Sequence, residues 1–263
     1  MGVVAPPSPT LLRAADLLDE GVGHLLKARD QLSSDFVKFE SSHDALNLLY
    51  HSLRHIEAVV ELVRKDVVLR PAAITAARAA LESSVRGLWL VDCDEPFERE
   101  GRWLGFIDEE VFSRKRAARH FGQHGHTEAS TENQVEADEL ENYRNAVAQL
   151  LPKAYAPRRL PKFDAMLAET KTNVNYAIYV IGSQYTHGTS WALSAFRQGL
   201  GTQRRLNELK DSVSWVLPVA ICAAIVRDTG CRLLYRLGVP HGQALPRTFS
   251  GRLERAVSRI SNE

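Results

Sequence analysis

Apolar residues recur along most of the chain at mixed steps of three and four residues, which is the spacing of amphipathic α-helices. The clearest case is a heptad-like seam that follows a capping residue, Ser42 or Asp44, and comprises Leu46, Leu49, Leu53, Ile56, Val60 and Val63. Glycine and proline lie mainly at the ends of such stretches, and no strand pairs or internal repeats are present. The pattern predicts an all-α fold, an irregular multi-helix bundle with a charged, loop-rich middle segment.

Capping residues and helix breakers divide the chain into segments. Thr10 is the predicted cap of the first helix, and the predicted helices cover about 10–32, 42–63, 70–91, 96–119, 164–169, 174–187, 212–237 and 250–260. Residues 121–127 form a glycine-marked loop, and residues 128–141, with six acids and no lysine or arginine, form a polar helix or a partly mobile excursion.

The same boundaries predict the domain organisation. We expect a flexible, proline-containing arm over residues 1–9. A single helical domain follows over residues 10–238, with an insertion around residues 120–162. A basic tail helix within residues 239–263 closes the chain.

Charge and cysteine content exclude several classes of protein. The 33 lysines and arginines nearly balance the 32 aspartates and glutamates, which excludes a global basic field for binding nucleic acid. Three cysteines without the spacing of a zinc site or a disulfide scaffold indicate reduced thiols. The longest apolar run, residues 215–226, contains Pro218 and is shorter than the roughly 20 residues that cross a bilayer. We therefore expect a cytoplasmic protein with no membrane partner.

Two polar signatures stand on mostly apolar helices about a hundred residues apart. In the first, Arg78 and Glu82 are four residues apart and share a helix face. One interpretation is a surface ion pair within a single helix. The other is a partly buried pair that reaches a second helix, and the alanines around it favour close helix approach.

The second signature places Tyr179, Ser183 and His187 on one helical stripe, with Tyr185 on the opposite side. His187 is either a last-turn residue that the helix dipole favours or a functional group. Buried polar groups need hydrogen-bonding partners. We therefore expect the stripe to meet Arg78 and Glu82 in a polar cluster that borders a small pocket.

A third candidate site lies in the basic run 114–119 and the loop after it. Arg119 and His124 could cleave RNA without a metal, because the histidine can transfer a proton while the arginine offsets charge on the phosphate. A basic loop at Arg204 and Arg205 offers further phosphate contacts. The alternative for the basic run is an ordinary solvated helix end.

His51 and His55 have the four-residue spacing of a helical metal pair. They lie roughly opposite the leucine seam, and no Glu-x-x-His motif occurs in the chain. Two exposed helix histidines are the alternative. We predict no metal and no cofactor.

The two polar signatures, together with Trp89, residues 97–103 and the final apolar helix, resemble an uncharacterised bacterial family of all-helical proteins, a domain of unknown function. The resemblance covers about residues 69–237. It implies a helical fold and no particular activity, and it makes the matching positions Arg78, Glu82, Ser183 and His187.

A second resemblance concerns Arg119 and His124. Their spacing is similar to the Arg-x4-6-His pattern of HEPN proteins, helical nucleotide-binding proteins and ribonucleases found in toxins and antiviral systems. This resemblance implies RNA cleavage without a metal.

Two classes of function follow from these observations. One is a regulatory, stress or defence module that acts by binding a protein or a small ligand. The other is a HEPN-like, metal-independent ribonuclease, so the sequence leaves open whether the protein is an enzyme. The candidate partners are RNA and a second copy of the chain, which would dimerise through the leucine seam or the tail helix.

Overall fold

The computed structural model describes residues 5–32, 38–172, 176–189, 192, 197–198, 205–206 and 211–262. Within these ranges the chain forms nine helices: α1 (Pro9–Ala28), α2 (Glu40–Lys65), α3 (Arg70–Val91), α4 (Pro96–Gln123), α5 (Thr127–Leu150), α6 (Phe163–Glu169), α7 (Tyr176–Thr186), α8 (Val213–Arg236) and α9 (Phe249–Ile260). The described ranges also contain two 3₁₀ turns, Arg29–Gln31 and Val67–Leu69, and two antiparallel two-residue strands, Arg197–Gln198 and Arg205–Leu206. The predicted all-α, multi-helix fold is confirmed.

Helix α3 lies at the centre of the bundle, where it packs against α2, α7 and α8. Its alanines Ala73, Ala77 and Ala80 are completely buried, and their small side chains allow neighbouring backbones to approach. The Ser52 hydroxyl of α2 donates a hydrogen bond to the Ala80 carbonyl at 2.8 Å. The bounds of α3 agree with the predicted segment 70–91, since Pro71 suits a first helical turn.

The leucine seam of α2 is buried inside the chain. Leu49, Leu53, Ile56, Val60 and Val63 are at most 1% exposed and belong to the main apolar core, so the seam packs internally. Helix α2 begins at Glu40, earlier than either predicted cap. The reason is tertiary, because the carboxylate of Glu100 in α4 accepts the Ser41 backbone N–H at 2.9 Å.

Helix α1 also begins earlier than predicted. The cap is Ser8, whose hydroxyl accepts the Leu11 N–H at 3.1 Å, and Pro9 occupies the first turn. Thr10 therefore lies inside the helix. In the segment before it, the Ala5 N–H donates to the Asp66 carboxylate at 3.1 Å, and Ala5 is buried.

The charged middle of the chain is a helical hairpin of α4 and α5. The predicted loop over 121–127 is wrong in part, since α4 continues to Gln123 and only residues 124–126 turn, with Gly125 at a φ of +78°. Of the two alternatives for residues 128–141, the structure forms the helix. Ion pairs join the basic helix to the acidic one: Arg114 with Glu136, Lys115 with Glu141 at 2.8 Å, and Arg144 with Asp108 at 2.9 Å.

Helix α8 carries most of the apolar residues near the C-terminus. It begins with a 3₁₀ turn, contains a π-helical turn at Ile225–Thr229, and ends before Gly238, which has a φ of +105°. In the part of the chain that the structure describes, α8 alone is long and apolar enough to cross a membrane. The core helix of a bundle can have the same length and composition, and 56% of the most apolar 18-residue stretch of α8 is buried inside the bundle.

Candidate functional site

Arg78 joins α3 to α7 through two hydrogen bonds. Its Nε donates to the Ser183 hydroxyl at 3.0 Å, and an Nη donates to the Tyr179 hydroxyl at 3.1 Å. The guanidinium also lies 4.8 Å from the centre of the Tyr179 ring, a cation–π distance. The Glu82 carboxylate is 3.4 Å from the same guanidinium. The structure thus brings together four of the five residues of the expected polar cluster.

Two further arginines extend this contact along α3. Arg70 donates to the Tyr185 hydroxyl at 2.7 Å, and Arg86 donates to the Glu82 carboxylate at 2.7 Å. We call Arg70, Arg78 and Arg86 the arginine row. Among the described residues, one carboxylate pairs with this row, that of Glu82. Positive charge therefore exceeds negative charge at the α3–α7 contact.

The position of Tyr185 differs from the sequence prediction. Its side chain does not turn away from the signature but bonds Arg70 at the start of α3, with the guanidinium 5.7 Å from the ring centre. Arginine and tyrosine have long side chains. Arg70 and Tyr185 can therefore make contact although Tyr185 lies on a different face of α7 from Tyr179 and Ser183. Arg70 and Tyr185 are members of the site that the sequence did not identify.

Gly182 sets how closely α7 approaches α3. It is the one fully buried residue of α7, and a Cβ built on it would lie 2.9 Å from the Arg78 Cβ. The sequence signal was a glycine inside a helical pattern, which costs helix stability unless close packing requires it. Helix α7 is attached both by the hydrogen bonds of Arg70 and Arg78 and by the half-buried Ile178 and Tyr179, which pack against the core.

His187 lies outside this cluster. Its backbone N–H donates to the Ser183 carbonyl at 3.0 Å, and Gly188, with a φ of +58°, follows immediately. The side chain is exposed and makes no hydrogen bond to another described residue. Its position at the helix end is the one expected from the helix dipole.

Arg119 and His124 make only local hydrogen bonds within the described structure. Arg119 Nε donates to the Lys115 carbonyl at 3.4 Å, and His124 Nδ1 lies 2.8 Å from the His120 carbonyl. Both side chains are exposed, and His124 is the C-terminal cap of α4. Ser130, Thr131 and Gln134 of α5 line a surface cavity with Arg119, but His124 is not part of its lining. Carboxylates of α5 neutralise part of the basic run. The ribonuclease alternative stays a prediction.

The histidine pair of α2 is partly engaged with α3. His51 Nδ1 is 2.8 Å from the Ser83 hydroxyl, and the His51 and His55 rings meet edge to face at 4.6 Å. Burial lowers the pKa of His55, and the nearby His51 lowers it further. Across the described ranges, no group of three or more His, Cys, Asp or Glu side chains could hold a metal ion. Arg204 of the basic loop lies outside the described residues.

The described helices define an all-helical protein, and sequence comparison assigns it to a family. Residues 45–203 match the model of a family of unknown function, DUF5677, and the chain belongs to this family. The match runs from within α2 past α7, so it includes the whole arginine row. No curated protein and no solved structure is significantly similar to this chain.

Proposed function

We propose that the protein is a cytoplasmic regulatory module that acts by binding, and that its ligand is a small acidic molecule taken up by the arginine row. The observation that carries this proposal is the charge imbalance, three guanidinium groups to one carboxylate among the described residues. The other partners are neutral oxygens: the hydroxyls of Tyr179, Ser183 and Tyr185, and the Ser214 carbonyl, 3.5 Å from Arg70. A carboxylate or phosphate bonds an arginine more strongly than a hydroxyl does, because both groups are charged.

Ligand binding at this row would change the state of α7. A ligand that engages Arg70 or Arg78 competes with the hydroxyls that attach α7 to α3. Gly182 is the one buried residue of α7, and Ile178 and Tyr179 are half-buried, so we assign α7 to the low-stability part of the molecule. A difference in ligand affinity between attached and detached α7 then shifts the population between the two states. That shift is the regulatory output.

Arg86 provides the variant for a binding test. It is 37% exposed and pairs with Glu82 in its own helix, so Arg86→Gln leaves the α7 attachment in place. We expect a panel of inorganic phosphate, malonate and citrate to contain a ligand that raises the melting temperature, and Arg86→Gln to weaken its binding about tenfold. Arg54→Gln on α2 is the matched control, since Arg54 also pairs with one carboxylate of its own helix, Glu57.

Gly182→Ala tests whether α7 is the responsive element. The new methyl group would meet Arg78, an overpacking that costs about 1–3 kcal/mol, so amide exchange in residues 176–186 should rise about tenfold or more. Gly23→Ala in α1 is the control, because a Cβ there meets nothing within 4 Å. Two outcomes would contradict the proposal: unchanged amide exchange of α7 in Gly182→Ala, or an equal loss of ligand binding in Arg54→Gln. Either would mean that the arginine row only holds α7 against α3.

A further inference from the structure

The tail helix α9 has a fixed orientation in the bundle. Phe249, Leu253, Ala256 and Ile260 form its apolar stripe and are buried against the core. Phe249 is completely buried and packs so closely on α1 that a Cβ at Gly21 would lie 2.9 Å from its ring. The arginines of α9 are therefore held in set positions and do not sample every direction around a free helix.

Three of these arginines line a groove between α9 and the start of α1. The groove, which we call the tail groove, has a volume of about 340 Å³ and is lined by Arg13, Arg252, Arg255 and Arg259 together with Leu17 and Ala256. Leu17 and Ala256 are nearly buried and form an apolar floor. A concave surface of this volume is in the range of small-molecule sites.

The tail groove has a large local excess of positive charge. Glu20 neutralises Arg252 through two hydrogen bonds of 2.9 Å, which lower the pKa of the Glu20 carboxyl. Arg13, Arg255 and Arg259 pair with no carboxylate among the described residues. The first turn of α1 contains no acidic residue, so the positive end of its helix dipole adds to the positive charge of the groove. The chain as a whole has a net charge of only +1, so the positive potential at the tail groove comes from its local arginines and not from the overall charge of the protein.

We propose that the tail groove binds a small, multiply phosphorylated molecule. Guanidinium groups present parallel N–H donors that match phosphate oxygens. Three arginines without a carboxylate partner in the described structure call for a ligand with several negative charges. The apolar floor excludes water from one side of the groove, which strengthens the ion pairs formed above it. Both walls of the groove lie outside residues 45–203, so the site is separate from the segment that matches the family.

Titration calorimetry with tripolyphosphate tests the site on the intact protein. The groove variant is Arg255→Gln/Arg259→Gln, and the matched control is Arg54→Gln/Arg116→Gln, which removes the same two charges from exposed positions on α2 and α4. We expect the groove variant to weaken binding at least about tenfold and the control to weaken it less than about twofold. Binding should also weaken as sodium chloride rises, because charge carries it. Circular dichroism of each variant checks that its helices are intact.

Two further measurements make the outcome decisive. Because the arginine row could itself bind a polyphosphate, the titrations are repeated in an Arg86→Gln background. The groove variant should lose the same component of tripolyphosphate binding in both backgrounds, so failure of this site and failure of the proposed function are distinguishable. A single Arg13→Gln variant, on the opposite wall, repeats the test if the double variant does not fold. Equal weakening in the groove variant and the control, or no binding by wild-type protein, would overturn the proposal. Binding of a single-stranded RNA without binding of tripolyphosphate would instead assign the groove to a long polyanion.

Discussion

Glu100 illustrates how single side chains of this protein act far from their own position in the sequence. It lies in α4, is 5% exposed, and accepts a hydrogen bond from the backbone of Ser41 at the start of α2. Burial raises the pKa of the Glu100 carboxyl above its ordinary value of 4.5, and the hydrogen bonds with Ser41 oppose that rise only in part. The carboxyl is therefore both a helix cap and a charge that the interior disfavours.

Glu100→Gln should increase stability at neutral pH. Because the folded pKa is raised, the carboxyl contributes stability that is fully present below 4.5 and is lost as pH rises through the folded pKa. Glutamine retains an oxygen for the Ser41 N–H and carries no charge. We expect a higher melting temperature than wild type at pH 7 and no such gain at pH 4. Glu61→Gln, at an exposed site, is the control. A less stable Glu100→Gln protein at pH 7 would mean that the negative charge at the α2 terminus outweighs burial.

At the scale of elements, the α4–α5 hairpin combines half-buried apolar contacts with ion pairs of complementary charge. Ala137 is the one residue of α5 that is fully buried, whereas arginine and lysine of α4 pair with glutamates of α5. The charge changes sign abruptly along the sequence because the basic helix α4 and the acidic helix α5 are neighbours with complementary surfaces. This pairing also reduces the positive field that RNA binding at residues 114–119 would require.

A charge swap across the hairpin tests this account. Lys115 and Glu141 form an ion pair at 2.8 Å with side chains 35% and 46% exposed. Lys115→Glu should destabilise α5 by about 0.5–1 kcal/mol, and adding Glu141→Lys should restore most of the loss. Amide exchange over α5 measures both effects, which should shrink in 1 M sodium chloride. Failure of the double variant to recover would show that the pair does not hold the hairpin.

At the scale of the whole molecule, burial differs among the three thiols: Cys222 lies in the core, and Cys93 and Cys231 are partly exposed. Cys222 is completely buried, and burial raises its pKa; burial also raises the pKa of Cys231 to about 12. Cys93 is half-buried, and burial raises its pKa as well. Thiolates are therefore rare at neutral pH while the bundle is folded.

Thiol reactivity should consequently report global unfolding. With its pKa raised to about 12 by burial, Cys231 is almost entirely protonated at pH 8. We expect a chromogenic disulfide reagent to react slowly with native protein, first at Cys93, and to modify all three thiols rapidly in guanidinium chloride. Cys93→Ser should remove the first phase. Rapid native reaction at Cys222 would contradict the described core.

The sequence by itself determined the helical fold and the elements whose ends are set locally. Helix α3 was predicted at its observed bounds because Pro71 and the apolar period depend only on neighbouring residues. The residues of the α3–α7 contact could be proposed for a similar reason, since four-residue spacing fixes which side chains share a helix face. The cap of α1 was predicted at Thr10 and lies at Ser8, although Pro9 at the first helical position is a local signal for it.

Only the tertiary structure decided which helix faces meet. Glu100 starts α2 from 59 positions away, Tyr185 reaches Arg70 across 115 positions, and His187 stays outside the cluster. The arginines of α9 lie next to α1 only because the apolar stripe of α9 packs against the core in one orientation. Periodicity specifies a face but not its partner, because the partner is selected by packing the whole set of helices at once.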